Sequence, residues 1–262
     1  MTRLIRTELL KLSTIRMTWG LLAVAAALSA LFASLEASRA GNGNSGVPPI
    51  TTATGLLTVT TVTGFGMLLA AVLGVISATG EFRHGSATLT YLATPSRVRV
   101  LGAKAAAVAC FGAGFGLVAS LVSMGIGVGV ASGHSGPLAL SAGTLAGHSA
   151  GAILGGALLG ALGVAVGSLI RSQLAAIIGV FVWAVVVESL IGGLFTAVRP
   201  YLPYTAATTL AGTQLGGAAF AAAHDVAGRG PLPFAAAVAL IAGLTGVVAL
   251  IAARTTVRRD IT

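Results

Sequence analysis

Charge and cysteine are scarce in this chain of 262 residues. Only 8% of its residues are charged, whereas 56% are hydrophobic and 37 residues are glycine. Because soluble domains are about one quarter charged, this composition excludes an ordinary soluble domain. The single cysteine, Cys110, excludes an intrachain disulfide and any metal or redox site built from paired cysteines.

Sequence motifs for nucleotide and metal chemistry are also missing. Neither of the two lysines, Lys11 and Lys104, completes a GxxxxGK[ST] phosphate-binding loop. The chain has no HExxH motif and no Cys/His cluster with the spacing of a zinc site. We therefore assign no catalytic residue and no metal ligand to this chain, and we expect it not to be an enzyme.

Long apolar runs dominate the sequence instead. A helix needs roughly 20 apolar residues to cross a bilayer core, and six stretches have that character. The basic start before the first stretch also fits a signal peptide, but the apolar run is longer than such peptides need. We predict an all-α, polytopic membrane protein with one domain over residues 1–262 and spans at 17–34, 54–78, 98–131, 141–170, 174–198 and 233–253.

The basic residues predict the orientation of these spans. With the N-terminus in the cytoplasm, 12 of the 15 lysines and arginines fall in cytoplasmic segments, as the positive-inside rule requires. Both termini are then cytoplasmic, and residues 199–232 form short re-entrant or surface helices outside. Since this distribution accounts for the net charge of +9, we expect membrane lipid and no nucleic acid as a partner.

Residues 1–16 have the pattern of an interfacial helix. At about 100° per residue, Ile5, Leu9, Leu12 and Ile15 share one face, and basic and hydroxyl side chains share the other. This pattern predicts a helix that lies along the cytoplasmic membrane surface. The alternative is a frayed basic end that only fixes the topology.

Polar side chains within the spans are candidates for a translocation pathway. Thr54, Thr58 and Thr61 share one face of the second span, and Glu188 is the one acidic residue deep in a span. A carboxylate that faces lipid costs at least about 2.5–3.5 kcal/mol, so Glu188 should face protein or a water-filled cavity. Alternatively, the threonines bond their own helix and Glu188 is a protonated, hydrogen-bonded packing residue.

A glycine repeat marks the fourth span. Gly143, Gly147, Gly151 and Gly155 recur at every fourth position, which places them on one side of a helix. Such a smooth stripe lets a neighbouring helix approach closely. We predict helix packing there, within the bundle or in a dimer.

Residues 79–104, TGEFRHGSATLTYLATPSRVRVLGAK, form the most charged stretch between two spans. The Thr94–Pro95 pair stops one helix, because the residue before proline avoids the helical region. The same pair starts the next helix, with threonine as N-cap and proline at the first position. The pattern predicts a cytoplasmic helix, an elbow and a second helix.

At these residues the chain resembles the permease subunits of ABC-2 type transporters, particularly the six-helix kind common in actinobacteria. Their cytosolic loop opens with Glu, an aromatic residue, Arg, Gly and Ser or Thr, and it closes with Pro, Arg and Lys. The segments RTELLKLSTIR and VVVESLIGGLFTAVRPYLP also resemble that family's interfacial helix and fifth helix. The matching loop residues are Glu81, Phe82, Arg83, Gly85, Ser86, Pro95, Arg97 and Lys104.

The resemblance implies an exporter permease in a bacterial plasma membrane. It implies that a second permease copy pairs with this chain, as homodimer or heterodimer, and that residues 79–104 couple to a separate cytosolic ABC ATPase. ATP and magnesium would bind that ATPase, and this chain would hold no cofactor. The apolar composition favours a hydrophobic or amphipathic substrate such as a drug, antibiotic, lipid or peptide.

Two other functions stay open at this point. An ion- or proton-coupled secondary transporter would use Glu188 as its titrating group and would work without ATP. A membrane anchor for a partner would tolerate changes at Thr54, Thr58 and Thr61.

Overall fold

The computed structural model describes residues 2–43, 45–83, 97–134, 137–170, 172–212 and 232–255. The described residues are helical and contain no strand, which confirms the predicted all-α fold class. A π-helical segment, Val182–Val187, joins α7 to α8, and a 3₁₀ turn, Arg199–Tyr201, precedes α9. The helices are α1 (Thr2–Thr14), α2 (Arg16–Arg39), α3 (Ala53–Thr60), α4 (Gly64–Arg83), α5 (Arg97–Ser132), α6 (Ala142–Leu169), α7 (Gln173–Phe181), α8 (Glu188–Leu194), α9 (Pro203–Leu210) and α10 (Phe234–Arg254).

Six helical stretches are long and apolar enough to cross a membrane, as predicted. The first runs on to Arg39 rather than ending at residue 34. The fifth ends at Leu194 rather than at residue 198, because Phe195 leaves the helical conformation with φ −126° and ψ 78°. The six stretches are Arg16–Arg39, Ala53–Gly80, Val98–Ser132, Ala142–Leu169, Gln173–Leu194 and Phe234–Arg254.

The second span is divided in two, which corrects the continuous helix predicted over 54–78. Residues 61–63 separate α3 from α4. The hydroxyl of Thr61 donates to the Leu57 carbonyl at 2.7 Å, one of the local bonds with which threonine competes against a regular helix. At the start of α4, a Cβ on Gly64 would lie 2.8 Å from the Tyr204 hydroxyl. The start of α4 therefore lies close against Tyr204 of α9.

Helices α4, α5 and α6 form the centre of the bundle. A Cβ on Gly112 of α5 would overlap the Gly156 carbonyl of α6, and a Cβ on Gly116 would overlap the Ala152 carbonyl. On its other side, α6 approaches α4 closely at Gly163. Because glycine has no side chain, the helix backbones come into direct contact at these positions.

The chain order gives the bundle two ends. We call one end the α1 side; it carries α1, the end of α4, the start of α5 and the end of α10. The other end, the α9 side, carries the α2–α3 connection and α9.

Candidate functional site

Glu188 lies at the start of α8, directly after the π-helical segment Val182–Val187. A π-helical turn holds an extra residue, so it shifts the register of the helix, and such turns are frequent at functional sites. Around this segment Val185 and Val186 are exposed, whereas Glu188 is only 2% exposed. The carboxylate therefore points into the bundle.

Both carboxylate oxygens of Glu188 are fully engaged. Oε1 accepts hydrogen bonds from Trp183 Nε1 at 3.1 Å and from the Tyr204 backbone N–H at 2.8 Å. Oε2 accepts from the backbone N–H and the hydroxyl of Thr205, at 2.8 and 3.0 Å. Four donors fill the acceptor positions of a carboxylate. Glu188 thus caps the first turn of α9, where N–H groups have no partner within the helix.

This set of bonds bears on the proton-carrying role considered for Glu188. An added proton would turn one acceptor position into a donor, and of the four present partners only the Thr205 hydroxyl is able to accept it, because the other three are N–H donors. Ser189, the nearest hydroxyl in sequence, donates to the Val185 carbonyl at 2.7 Å instead. The geometry favours a carboxylate that holds α9 in place. Its assignment to a translocation pathway stays a prediction.

Helix α9 rests on the glycine repeat of α6. A Cβ on Gly151 would overlap the Leu210 carbonyl of α9, and a Cβ on Gly155 would lie 2.9 Å from another α9 carbonyl. Gly143 and Gly147 are exposed, and a Cβ on Gly147 would meet no described atom within 4 Å. Only the half of the repeat nearer the bundle centre, Gly151 and Gly155, therefore packs against α9.

The three predicted pathway threonines differ in their surroundings. Thr54 is exposed, Thr58 is half-buried and Thr61 is buried. The Thr58 hydroxyl donates to the Thr54 carbonyl at 2.9 Å, and Thr61 bonds its own helix as described above. These are the local bonds that the sequence left open as the alternative. A pathway role for the three side chains stays a prediction.

A small polar hollow lies at the break between α3 and α4. Its volume of about 10 Å³ is close to the space that one water needs. Thr61, Ser120 and His148 are among its lining residues. Nδ1 of His148 lies 2.9 Å from the Ala211 carbonyl, which links α6 to the end of α9.

The segment GHSAG at 147–151 has GxSxG spacing, the spacing of a hydrolase nucleophile motif. That motif needs a sharp turn from a strand into a helix. Here the segment lies inside the uninterrupted helix α6, so the structure does not support a nucleophile. Among the described residues, no three His, Cys, Asp or Glu side chains are grouped as metal ligands.

A second buried carboxylate, Glu8, was not singled out from the sequence. Its Oε2 lies 2.9 Å from Lys104 Nζ, and its Oε1 lies 2.7 Å from Lys11 Nζ. Glu8 and Lys104 are only 6% and 5% exposed. Burial by itself raises the pKa of Glu8, but the charges and hydrogen bonds of Lys104 and Lys11 outweigh burial and hold that pKa below its ordinary value.

The ion pair between Glu8 and Lys104 fastens α1 to α5. Leu12 of α1 adds an apolar contact, because it is buried in a cluster with Leu73 and Val108. A signal for Glu8 was available in the sequence: at about 100° per residue it lies within the apolar face of α1. A lone acidic residue on such a face calls for a buried cation.

The predicted coupling residues lie at the α1 side as far as the structure describes them. Glu81, Phe82 and Arg83 form the last turn of α4, and Arg97 is the first residue of α5. Lys104 follows in the second turn and is occupied by Glu8. Gly85, Ser86 and Pro95, with the predicted Thr94–Pro95 elbow, lie outside the described residues.

Over the described residues, six apolar spans, a short helix folded back into the bundle and an N-terminal helix tied to the third span define a multi-span α-helical membrane protein. The sequence model described as "ABC-2 family transporter protein" matches residues 4–187. The chain therefore belongs to the ABC-2 family and is the membrane-spanning component of an ABC transporter. This confirms the resemblance seen in the sequence. A search of curated proteins returns no match.

Proposed function

We propose that this chain is one permease of a dimeric ABC exporter in a bacterial plasma membrane, with both termini in the cytoplasm. A second permease, identical or related, completes the pathway. A separate cytosolic ABC ATPase binds ATP and magnesium and supplies the energy. The family match, which includes the whole of residues 79–104, carries this proposal.

In this proposal the ATPase pushes on residues 79–104 when it closes on ATP. The segment includes the end of α4 and the start of α5, so its movement reaches both spans. The Glu8–Lys104 pair transmits the movement to α1, because separating a buried ion pair costs free energy. In this way α1, the end of α4 and the start of α5 move together.

The proposed substrate is hydrophobic or amphipathic: a drug, an antibiotic, a lipid or a peptide. The low charge content of the chain supports this class. In the proposed pathway, Thr54, Thr58 and Thr61 contribute hydroxyl groups, and Glu188 acts by holding α9. The proton-coupled alternative gains no support, because Glu188 already accepts four hydrogen bonds.

The coupling assignment is tested with Glu81→Ala and Arg83→Ala in the full chain, expressed with its proposed ABC ATPase partner. The comparison is made at equal amounts of permease in the membrane. Losing one charged contact of about 1.5–3 kcal/mol should weaken co-purification of the ATPase at least about tenfold. Export and transport-stimulated ATP hydrolysis should fall with it.

Matched controls are Glu36→Ala and Arg39→Ala. These residues form a pair 3.6 Å apart near the end of α2, at the α9 side, so their loss should leave ATPase binding unchanged. The coupling assignment is wrong if the Glu81 and Arg83 variants export as well as these controls.

A further inference from the structure

An apolar cleft of about 330 Å³ lies between α7 and α10. Its floor comes from α4 and α6, one wall from α7 and the π-helical segment, and the other wall from α10. The volume falls within the range of about 300–1,000 Å³ that is usual for small-molecule sites. Representative lining residues are Leu68, Leu159, Leu162, Gly179, Trp183 and Val248.

The cleft opens sideways, towards the surface that faces lipid. Helix α7 packs mainly against α4, and α10 packs mainly against α6. Beside the two walls, Ile178 of α7 and Val247 of α10 are exposed. Where lipid borders these side chains, the cleft is continuous with the hydrocarbon phase.

The lining selects a hydrocarbon ligand. Glu188 stands at one end of the cleft, but all its acceptor positions are taken by Trp183, Tyr204 and Thr205. A headgroup would find no free partner there. An empty apolar cleft also forfeits dispersion contacts along its walls, which a flexible chain can restore.

The length and charge of the site favour a lipid of one leaflet. Along α6 the lining runs from Leu159 to Ile170, about 16 Å at the helical rise, which is close to half of a bilayer core of about 30 Å. It ends towards the α1 side. Arg254, exposed at the end of α10, lies about 9 Å along the helix beyond Val248 and about 120° around its axis, so its side chain meets a phosphate beside the mouth of the cleft. Its charge complements an anionic headgroup.

We propose that this cleft holds one acyl chain of an anionic phospholipid from the leaflet on the α1 side, with its phosphate near Arg254. The lipid would be a bound component that fills the space between α7 and α10. The site requires neither ATP nor the ATPase, so it stands apart from the proposed export function.

The test uses the full-length chain in vesicles of phosphatidylethanolamine and phosphatidylglycerol. A trace of the phosphatidylglycerol carries a photoreactive diazirine in its acyl chain. After irradiation we expect label on Leu68 and Leu159, which are only 1% and 4% exposed, as well as on the exposed Leu174 and Leu250. Only an acyl chain inside the cleft reaches Leu68 and Leu159.

Gly179→Leu should fill the cleft without a backbone clash, because a Cβ there meets no described atom within 4 Å. Labelling of Leu159 should then fall at least about fivefold, since a filled, close-packed site excludes the chain. Leu174 should be labelled as before. Gly243→Leu is the matched control: it lies in α10, its Cβ is equally unobstructed, and it does not line the cleft.

Three results would overturn the proposal. The first is label confined to exposed residues in the unaltered protein. The second is equal labelling of Leu159 in the Gly179→Leu and Gly243→Leu variants. The third is displacement of the probe by a single-chain amphiphile or by phosphatidylcholine as readily as by unlabelled phosphatidylglycerol, because the occupant would then not be an anionic phospholipid.

Discussion

At the scale of single residues, Glu8 and Glu188 are both buried carboxylates, but different donors hold them. Glu188 accepts hydrogen bonds from neutral donors and caps a helix. Glu8 faces two ammonium groups, one of them buried with it. Protonation should therefore disturb the two sites differently, and Glu8 offers the clearer pH signature because its pKa is lowered.

Glu8→Gln should destabilise the protein by about 3–5 kcal/mol at neutral pH, because it breaks the buried ion pair between Glu8 and Lys104. The folded-state pKa of Glu8 lies below the unfolded value of about 4.3. Its contribution is thus complete above that pH and is lost as the pH falls through the folded-state pKa. Thermal unfolding in detergent should show the gap between the two proteins closing on acidification.

The control for this prediction replaces both partners, as Glu8→Leu with Lys104→Met. Apolar residues of similar volume often substitute for a buried ion pair with little loss of stability. We expect this double variant to be more stable than Glu8→Gln at neutral pH. A gap between the unaltered protein and Glu8→Gln that does not change with pH would contradict the assignment.

At the scale of elements, α9 depends on its neighbours. It has eight residues, fewer than the roughly 12–15 that an isolated helix needs for even marginal stability. Glu188 caps its start, and Gly151 lets its end approach α6. The position of α9 is therefore set by α8 and α6.

Substitutions at two positions of the glycine repeat separate packing from helix propensity. Gly151→Ala should push α9 away, because a Cβ there overlaps the Leu210 carbonyl, and overpacking typically costs about 1–3 kcal/mol. Gly147→Ala meets no described atom within 4 Å and should stabilise α6 by up to about 1 kcal/mol. Thermal unfolding and amide hydrogen exchange in α9 measure both effects. Equal behaviour of the two variants would show that α9 does not rest on Gly151.

At the scale of the whole molecule, burial is concentrated in the centre of the bundle. The second span is 83% buried, whereas the first, fifth and sixth are 22%, 17% and 11% buried. These outer spans provide the surface for lipid and for the proposed second permease. Because the outer spans have fewer buried contacts than the second span, they are the ones expected to move when force acts at the α1 side.

The energy source distinguishes the proposed exporter from the proton-coupled alternative. In inside-out vesicles that contain permease and ATPase, substrate uptake should require ATP and continue after the proton gradient is collapsed. The reason is that in the proposed exporter the force comes from the ATPase and not from a proton on Glu188. A hydrolysis-deficient ATPase serves as the control and should abolish uptake. Uptake driven by the gradient without ATP would refute the proposal.

The number and type of elements were predictable from the sequence, because they depend on local composition. Apolar runs of membrane-spanning length define the six spans wherever their neighbours lie. The loop pattern around Glu81 and Arg83 indicated the family, which the match over residues 4–187 confirms. The amphipathic pattern of α1 likewise predicted a helix at the observed place.

The all-α class, the six spans and the family therefore followed from the order of residues alone. Which polar residues meet depended on how the helices pack. Lys104 is 96 residues from Glu8, and Tyr204 is 16 residues from Glu188. The same holds for Gly151, which packs while Gly147 stays open, and for the parting of α3 and α4 at residues 61–63. Spans follow from local transfer free energies, whereas these contacts arise only when distant segments are packed together.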